Sequence, residues 1–335
     1  MNILLTSAGR RTYLVEYFKQ ALNGTGLVHA SNSIITYTLL QADKYVLTPN
    51  IYDGDYISFL LDYCKNNNIG AIISLFDIDL PVLARNRKVF TDNGIQLVVP
   101  DYRVTEICND KWLTYEFLIN IGIKQTPSFI NFAEAKQAIA DGIVSYPLFI
   151  KPRWGMGSIG IYKVCNEEEL NVLYKKLHIE IFNTYLKYES EIDQDSCIII
   201  QQAINGQEYG IEIVNDLKAN YVTTMAKKKV VMRSGETDVA EIVDSKPFEA
   251  IGKCIADNLK HVANLDVDCF VTENGDIFVL EMNCRFGGQY PFSHLAGANL
   301  PLQILNWLEG KTTDLSLLSP KVGIKACKEL RPVIL

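Results

Sequence analysis

The stretch "DVDCFVTENGDIFVLEMNCRFGG", residues 266–288, decides the fold of this chain. Its first part alternates acids with apolar residues, "ENGD" (273–276) is a turn signal, and an apolar run follows. Two strand-like runs joined by such a turn read as an antiparallel hairpin. Alternate residues of a strand share a face, so Glu281, Asn283 and Arg285 are expected to project together, with Asp268 beside Glu281 across the hairpin. Two acids that close repel unless a cation lies between them. Carboxylates with an amide oxygen suit Mg²⁺, which takes a few oxygen ligands and completes its shell with nucleotide phosphates. The plainer alternative is a solvated polar face on an edge strand. Val279, Leu280 and Met282 argue against it, because they mark a strand buried on at least one side.

Further upstream, "YPLFIKP" (146–152) and "IGIYKV" (159–164) are rich in strand formers and flank the glycine loop "GMGSIG" (155–160). The loop satisfies GxGxxG, but a dinucleotide fold needs a helix after it, and a strand follows here. It reads as a β-hairpin tip whose glycines let backbone N–H groups approach phosphate, with Lys151 adding a point charge. A glycine hairpin with a surface lysine is the plain alternative. A kinase also covers phosphates with a glycine hairpin, but the HRD and DFG signatures that would accompany it are missing. "QQAINGQE" (201–208) follows the buried run "CIII" and by itself is an ordinary turn with an exposed Glu.

At the start of the chain, "ILLTS", "LVHAS", "KYVLT", "AIISLF" and "IQLVVP" are short apolar runs separated by helical segments such as "TYLVEYFKQAL". The alternation predicts an open, mostly parallel sheet over about residues 1–100. "AGRR" (8–11) and "FDID" (76–79) follow predicted strands at the sheet edge where such folds place ligands. With 335 residues, 48% of them hydrophobic, the chain can bury a large core. Lys and Arg number 32 against 39 Asp and Glu, a net charge of −7, and no basic block tracks a phosphodiester backbone; nucleic acid is not an expected partner. No apolar run approaches the roughly 18 residues of a membrane span. The arginines of "MNILLTSAGRR" follow the apolar stretch, the reverse of a signal peptide, so the expected location is the cytoplasm. The closest of the eight cysteines are 15 residues apart and read as small buried residues in a reducing compartment. No histidines sit at metal-ligand spacing, and His294, with apolar flanks, reads as a core histidine.

In this order the pieces resemble the ATP-grasp superfamily, in particular its carbamoyl-phosphate-synthase-like and amino-acid-ligase-like members. The likeness rests on "DKWLTYEFLINIGIKQTP" (110–127), "YPLFIKPRWGMGSIG" (146–160), "QQAINGQEYGIEI" (201–213) and the hairpin of 266–288. It implies an α/β chain, α+β in its C-terminal half: a Rossmann-like pre-ATP-grasp domain over 1–102, a small lid subdomain over 103–195 and a C-terminal subdomain over 196–335. Position by position, it implies Lys111 and Lys151 on the phosphates of ATP under a mobile loop with Gly155, Gly157, Ser158 and Gly160. Gln201, Gln202 and Ile204 fall at the adenine hinge and Glu208 at the ribose. Asp268, Glu281 and Asn283 are the implied ligands of Mg²⁺ (Mn²⁺ as the alternative), and Arg285 with Lys151 the implied catalytic cations. The hinge starts with Gln201 where many members carry Glu, and "HASNS" (29–33) lacks an acid that related chains often have there.

The resemblance implies a ligase that joins a small carboxylate to an amine through an acyl phosphate, releasing ADP and phosphate. A phosphotransferase or carboxylating synthase, and a silent ATP-binding module, are the alternatives; a homodimer is compatible with all three. Substrate contacts are expected from Arg233 and Glu236 in "KKKVVMRSGETD" (227–238), from Gly287, Gly288 and Gln289, and from Arg10. The 227–238 run reads equally as a solvated charged loop.

Overall fold

The protein is described here as a computed structural model covering residues 1–335 apart from Ser158 and Ser234. The expected parallel sheet consists of β1 (Asn2–Thr6), β2 (Val28–Asn32), β3 (Lys44–Leu47), β4 (Ile69–Ser74) and β5 (Gln96–Val98). Their order is β3-β2-β1-β4-β5, every pairing parallel. The order reverses between β1 and β4, so the turns after these two strands, residues 7–11 and 75–79, sit together at the switch point of the sheet.

A second, antiparallel sheet holds β6 (Ser128–Phe129), β7 (Leu148–Pro152), β8 (Tyr162–Val164) and β9 (Ile198–Gln202) in the order β6-β9-β7-β8. The glycine loop is the β7–β8 hairpin tip, as the strand formers on both sides dictate. The third sheet contains β10 (Gln207–Asn215), β11 (Tyr221–Arg233), β12 (Glu236–Val243), β13 (Ala263–Val271), β14 (Ile277–Asn283) and β15 (Lys325–Cys327), ordered β14-β13-β10-β11-β12-β15. "GIKAC" is thus an edge strand beside β12. Among the helices without a clear reading in the sequence are Tyr37–Gln41, Lys246–Leu259 and Tyr290–Leu295.

Two apolar clusters join the first and third sheets: Leu4 and Ile72 pack in one cluster with Ile211, Val267 and Met282, and Leu5 and Phe18 in the other with Phe286 and Ile304. The second sheet has its own cluster, built on Leu148, Ile150, Leu177 and Ile198. Val104, Leu118 and Ile123 belong to the first of these clusters, not to that of the second sheet. Among the described residues no helix is long and apolar enough to cross a membrane.

Candidate active site

The 273–276 turn brings β13 and β14 together in the expected register, Asp268 opposite Glu281 and Asp266 opposite Asn283, with a bulge after Asp268. Asp268 and Glu281 line a cavity of about 410 Å³ between the second and third sheets, a volume within the range of small-molecule sites. Lys111, Lys151, Gly155, Gly157, Gln201, Gln202, Ile204 and Glu208 line it as well. Gly160 packs instead against Leu177 and Pro152 outside this lining, and Ser158 lies outside the described residues. The apolar part of the wall comes from side chains inside the motifs that were given no part in a binding site, among them Phe149, Ile161, Met232, Phe270 and Leu280.

One acid ties together the two elements that carry Lys111 and Lys151. Asp110 caps the helix Lys111–Asn120 by accepting from the amides of Trp112 (2.8 Å) and Leu113 (3.3 Å). The same carboxylate takes a forked contact from Arg153, with Nε 2.8 Å and Nη2 2.8 Å from its two oxygens. Arg153 follows Lys151 by two residues, so Asp110 fixes the end of β7 against the start of the Lys111 helix. Lys111 donates to the carbonyl of Gly155 in the glycine loop and stands 3.9 Å from Glu281. Lys151 is buried and donates to Gln201 Oε1 at 3.1 Å. Burial, then the Lys111 charge, pull the Lys151 ammonium down to about 8.

Lys229, inside the run that reads equally as a source of substrate contacts and as a solvated charged loop, is buried on β11 and bridges Glu208 (2.6 Å) and Asp268 (2.7 Å). Burial opposes its charge, but Asp268 and Glu208 outweigh that and hold it above its ordinary value. Gln289 is buried and donates to both Asp266 (2.7 Å) and Asp268 (2.9 Å). Burial and then the Asp268 charge raise Asp266 to about 7. Gly287 is required by this approach, since a Cβ there would lie 2.0 Å from the Asp266 carboxyl carbon. One layer deeper, Lys227 and Glu212 form a fully buried pair that Ser293 joins at 2.8 Å.

Arg285 departs from expectation. β14 ends at Asn283, the chain bends at Cys284, and Arg285 turns toward the first sheet to meet Asp77 at 2.7 Å. Burial opposes the Arg285 charge, and Asp77 overcomes it, so the guanidinium is held above its ordinary value. Its neighbour there is Arg11, not Arg10, which is exposed. Arg233 is half-exposed and pairs with Asp238, while the exposed Glu236 lies 3.4 Å from Lys328; neither lines the cavity. Gly288 is exposed, and a Cβ there would stand 3.6 Å from the Lys328 ammonium. His294 is stacked on Tyr17, with ring centroids 3.5 Å apart, and burial lowers it to about 4.

Among the described residues no three His, Cys, Asp or Glu side chains cluster in a metal-holding group. Three carboxylates line the cavity: Glu208, which Lys229 holds, and Asp268 and Glu281, paired across β13 and β14, with the Asn283 amide two residue pairs further along. That is too few oxygens for Ca²⁺ held by protein alone, and it fits Mg²⁺ that shares its shell with phosphates and water.

Residues 144–291 match the family model described as ATP-grasp domain, and residues 3–98 match that described as PylC-like, N-terminal domain. The chain is 22% identical over 276 residues to the D-alanine–D-alanine ligase of Streptococcus agalactiae, covering 77% of this chain and 71% of that protein. It is 23% identical over 210 residues to the carbamoyl phosphate synthase arginine-specific large chain of Bacillus subtilis, covering 59% of this chain but only 18% of that protein. The fold matches the biotin carboxylase of Campylobacter jejuni, crystallised as its βγ-ATP complex, with a TM-score of 0.74 at 17% identity, over 97% of this chain and 74% of that one. Sheet order, hairpin register and both family matches agree: the chain belongs to the ATP-grasp superfamily and carries a PylC-like N-terminal domain.

Proposed function

We propose that the chain is an ATP-dependent carboxylate–amine ligase that works through an acyl phosphate. The observation that carries this reading is the facing of two acids, Asp268 and Glu281, by two lysines, Lys111 and Lys151, across one cavity roofed by a glycine hairpin. Carboxylates do not condense with amines at neutral pH, because oxide is a hopeless leaving group. Attack of a carboxylate oxygen on the γ-phosphorus of ATP breaks the bond to the bridging oxygen, and ADP leaves. The amine nitrogen then attacks the acyl carbon, the bond from that carbon to the phosphate oxygen breaks with its electron pair leaving on phosphate, and the nitrogen loses a proton.

In this reading Lys111, Lys151 and the loop amides orient the triphosphate, so their contribution is positioning and charge. Asp268, Glu281 and Asn283 would hold Mg²⁺, which would supply charge neutralisation for the phosphates. Arg285 stabilises the group in transfer. Closure of the 155–160 hairpin excludes water, which would otherwise hydrolyse the acyl phosphate. Gln201, Gln202 and Ile204 serve the adenine and Glu208 the ribose. The D-alanine–D-alanine ligase likeness supports a carbon–nitrogen bond as product. The test is to supply pooled small acids and amines with MgATP. ADP and phosphate are expected only when both pools are present; AMP with pyrophosphate would refute the mechanism.

A further inference from the structure

Arg11 lies where the turns after β1 and β4 meet the end of β14. Its amide closes the "AGRR" turn on Ala8, and it stands at the start of the helix Thr12–Leu22, which no side chain caps. Its guanidinium donates to the Leu75 carbonyl and lies beside the Tyr13 hydroxyl. Among the described residues it forms no ion pair with a carboxylate. Arg285, whose side chain is 10% exposed, pairs with Asp77 two residues beyond the Leu75 carbonyl that Arg11 meets, and its charge acts on Arg11. Arg285 gives Nη2 to Asp77 (2.7 Å) and Nη1 to the Phe286 carbonyl (3.1 Å). Among the described residues its buried Nε has no partner.

A buried guanidinium N–H without an acceptor is unfavourable, and two like charges pressed together are more so. Burial, then the Arg285 charge, accordingly pull Arg11 below its ordinary value. One anion between the two guanidinium groups answers both defects. Two features choose its chemistry. The guanidinium fork matches the plane of a carboxylate. Asp77 and Asp266, both within electrostatic reach of Arg285, repel a dianion more than a monoanion.

We propose that Arg11 and the free Nε of Arg285 hold the carboxylate of the acid that ATP activates, so that the N-terminal sheet reads the substrate that the C-terminal sheet phosphorylates. This rests on the ligase reading above, with Arg285 lying between the carboxylate and the phosphoryl group. Arg11 is then a specificity residue contributed by a turn far in sequence from the nucleotide motifs.

The test is a binding measurement on the full chain loaded with Mg²⁺ and a non-hydrolysable ATP analogue. Saturation-transfer NMR is recorded with a pool of the twenty L-amino acids and a pool of their carboxamides. Members of the acid pool are expected to bind and their amides not to. Arg11→Gln is expected to weaken acid binding at least about tenfold, the loss of one charge-assisted contact, and Arg11→Lys to restore part of it. An unchanged thermal shift with the nucleotide analogue shows that the variant is folded; if R11Q fails this check, R11K is expected to fold and to bind acids more weakly than wild type. Equal binding of acids and amides, no binding of either, or full acid binding in folded R11Q or R11K overturns the proposal. Acid binding through Arg11 without ADP release on addition of amine would instead contradict the ligase reading, and amine-dependent ADP release indifferent to R11Q would contradict this inference alone.

Discussion

Glu281 carries the most weight of any single side chain, since it faces Asp268 across the hairpin and Lys111 across the cavity. Its side chain is 35% exposed, so replacing its charge disturbs little packing. Glu281→Gln is expected to lower ADP release at least about 100-fold while changing unfolding free energy by no more than about 0.5 kcal/mol. Steady-state assays beside urea titrations check both halves. Lys151 gives a pH prediction. Its folded value, about 8, lies below the unfolded value of about 10.4. The destabilisation from burying this cation is therefore full below pH about 8 and fades as pH rises toward the unfolded value. Triphosphate restores the charge, so MgATP binding at about pH 9 should take up most of one proton. Calorimetry in buffers of different ionisation enthalpy reads the uptake, which Lys151→Met should abolish; equal uptake in the variant would place the titration elsewhere. The i, i+2 spacing of Glu281 and Asn283 was legible because strand periodicity is local. The segments that carry Lys229, Asp77 and Arg11 were legible as candidates, but their partners were not, because each meets them only through contacts between distant elements.

At the scale of elements, the glycine hairpin and the β13–β14 hairpin were readable from turn residues and flanking strand formers. The end of β14 was not, because the bend that sends Arg285 to Asp77 depends on a partner 208 residues away. Asp110 shows the same limit. "DKW" marks a helix start, but nothing in the sequence announces that this cap also grips Arg153. Both members of the pair are buried, with side chains 5% and 11% exposed. Asp110→Ala removes a cap worth about 1 kcal/mol and leaves a buried guanidinium unpaired, so a total loss of about 3–5 kcal/mol is expected. Denaturant titration measures it. Nucleotide affinity should fall too, since Lys111 and Lys151 lose their common anchor. Stability and affinity close to wild type would show that the two lysines are positioned independently.

Across the whole molecule, the first and third sheets share two apolar clusters, whereas the second sheet keeps its own. We propose the division 1–102, 103–195 and 196–335, with the helices between 102 and 120 packed on the first sheet's side and the second sheet free to move as the lid. Hydrogen exchange should then slow across residues 148–164 when Mg²⁺ and a non-hydrolysable ATP analogue bind, with little change in β13 and β14. Uniform slowing over all three sheets would contradict a separate lid. The parallel sheet and the order of the motifs gave this architecture in the sequence. The seating of the N-terminal turns against Arg285 emerged only from the folded chain. The central claim is that Asp268 and Glu281 grip a cation whose phosphates are held by Lys111 and Lys151. A crystal structure with Mg²⁺ and a non-hydrolysable ATP analogue tests it most directly. The account predicts oxygens of both acids at about 2.0–2.1 Å from the ion, with both ammonium groups on phosphate oxygens. An ion bound without these acids, or a triphosphate lying outside the cavity, would contradict it.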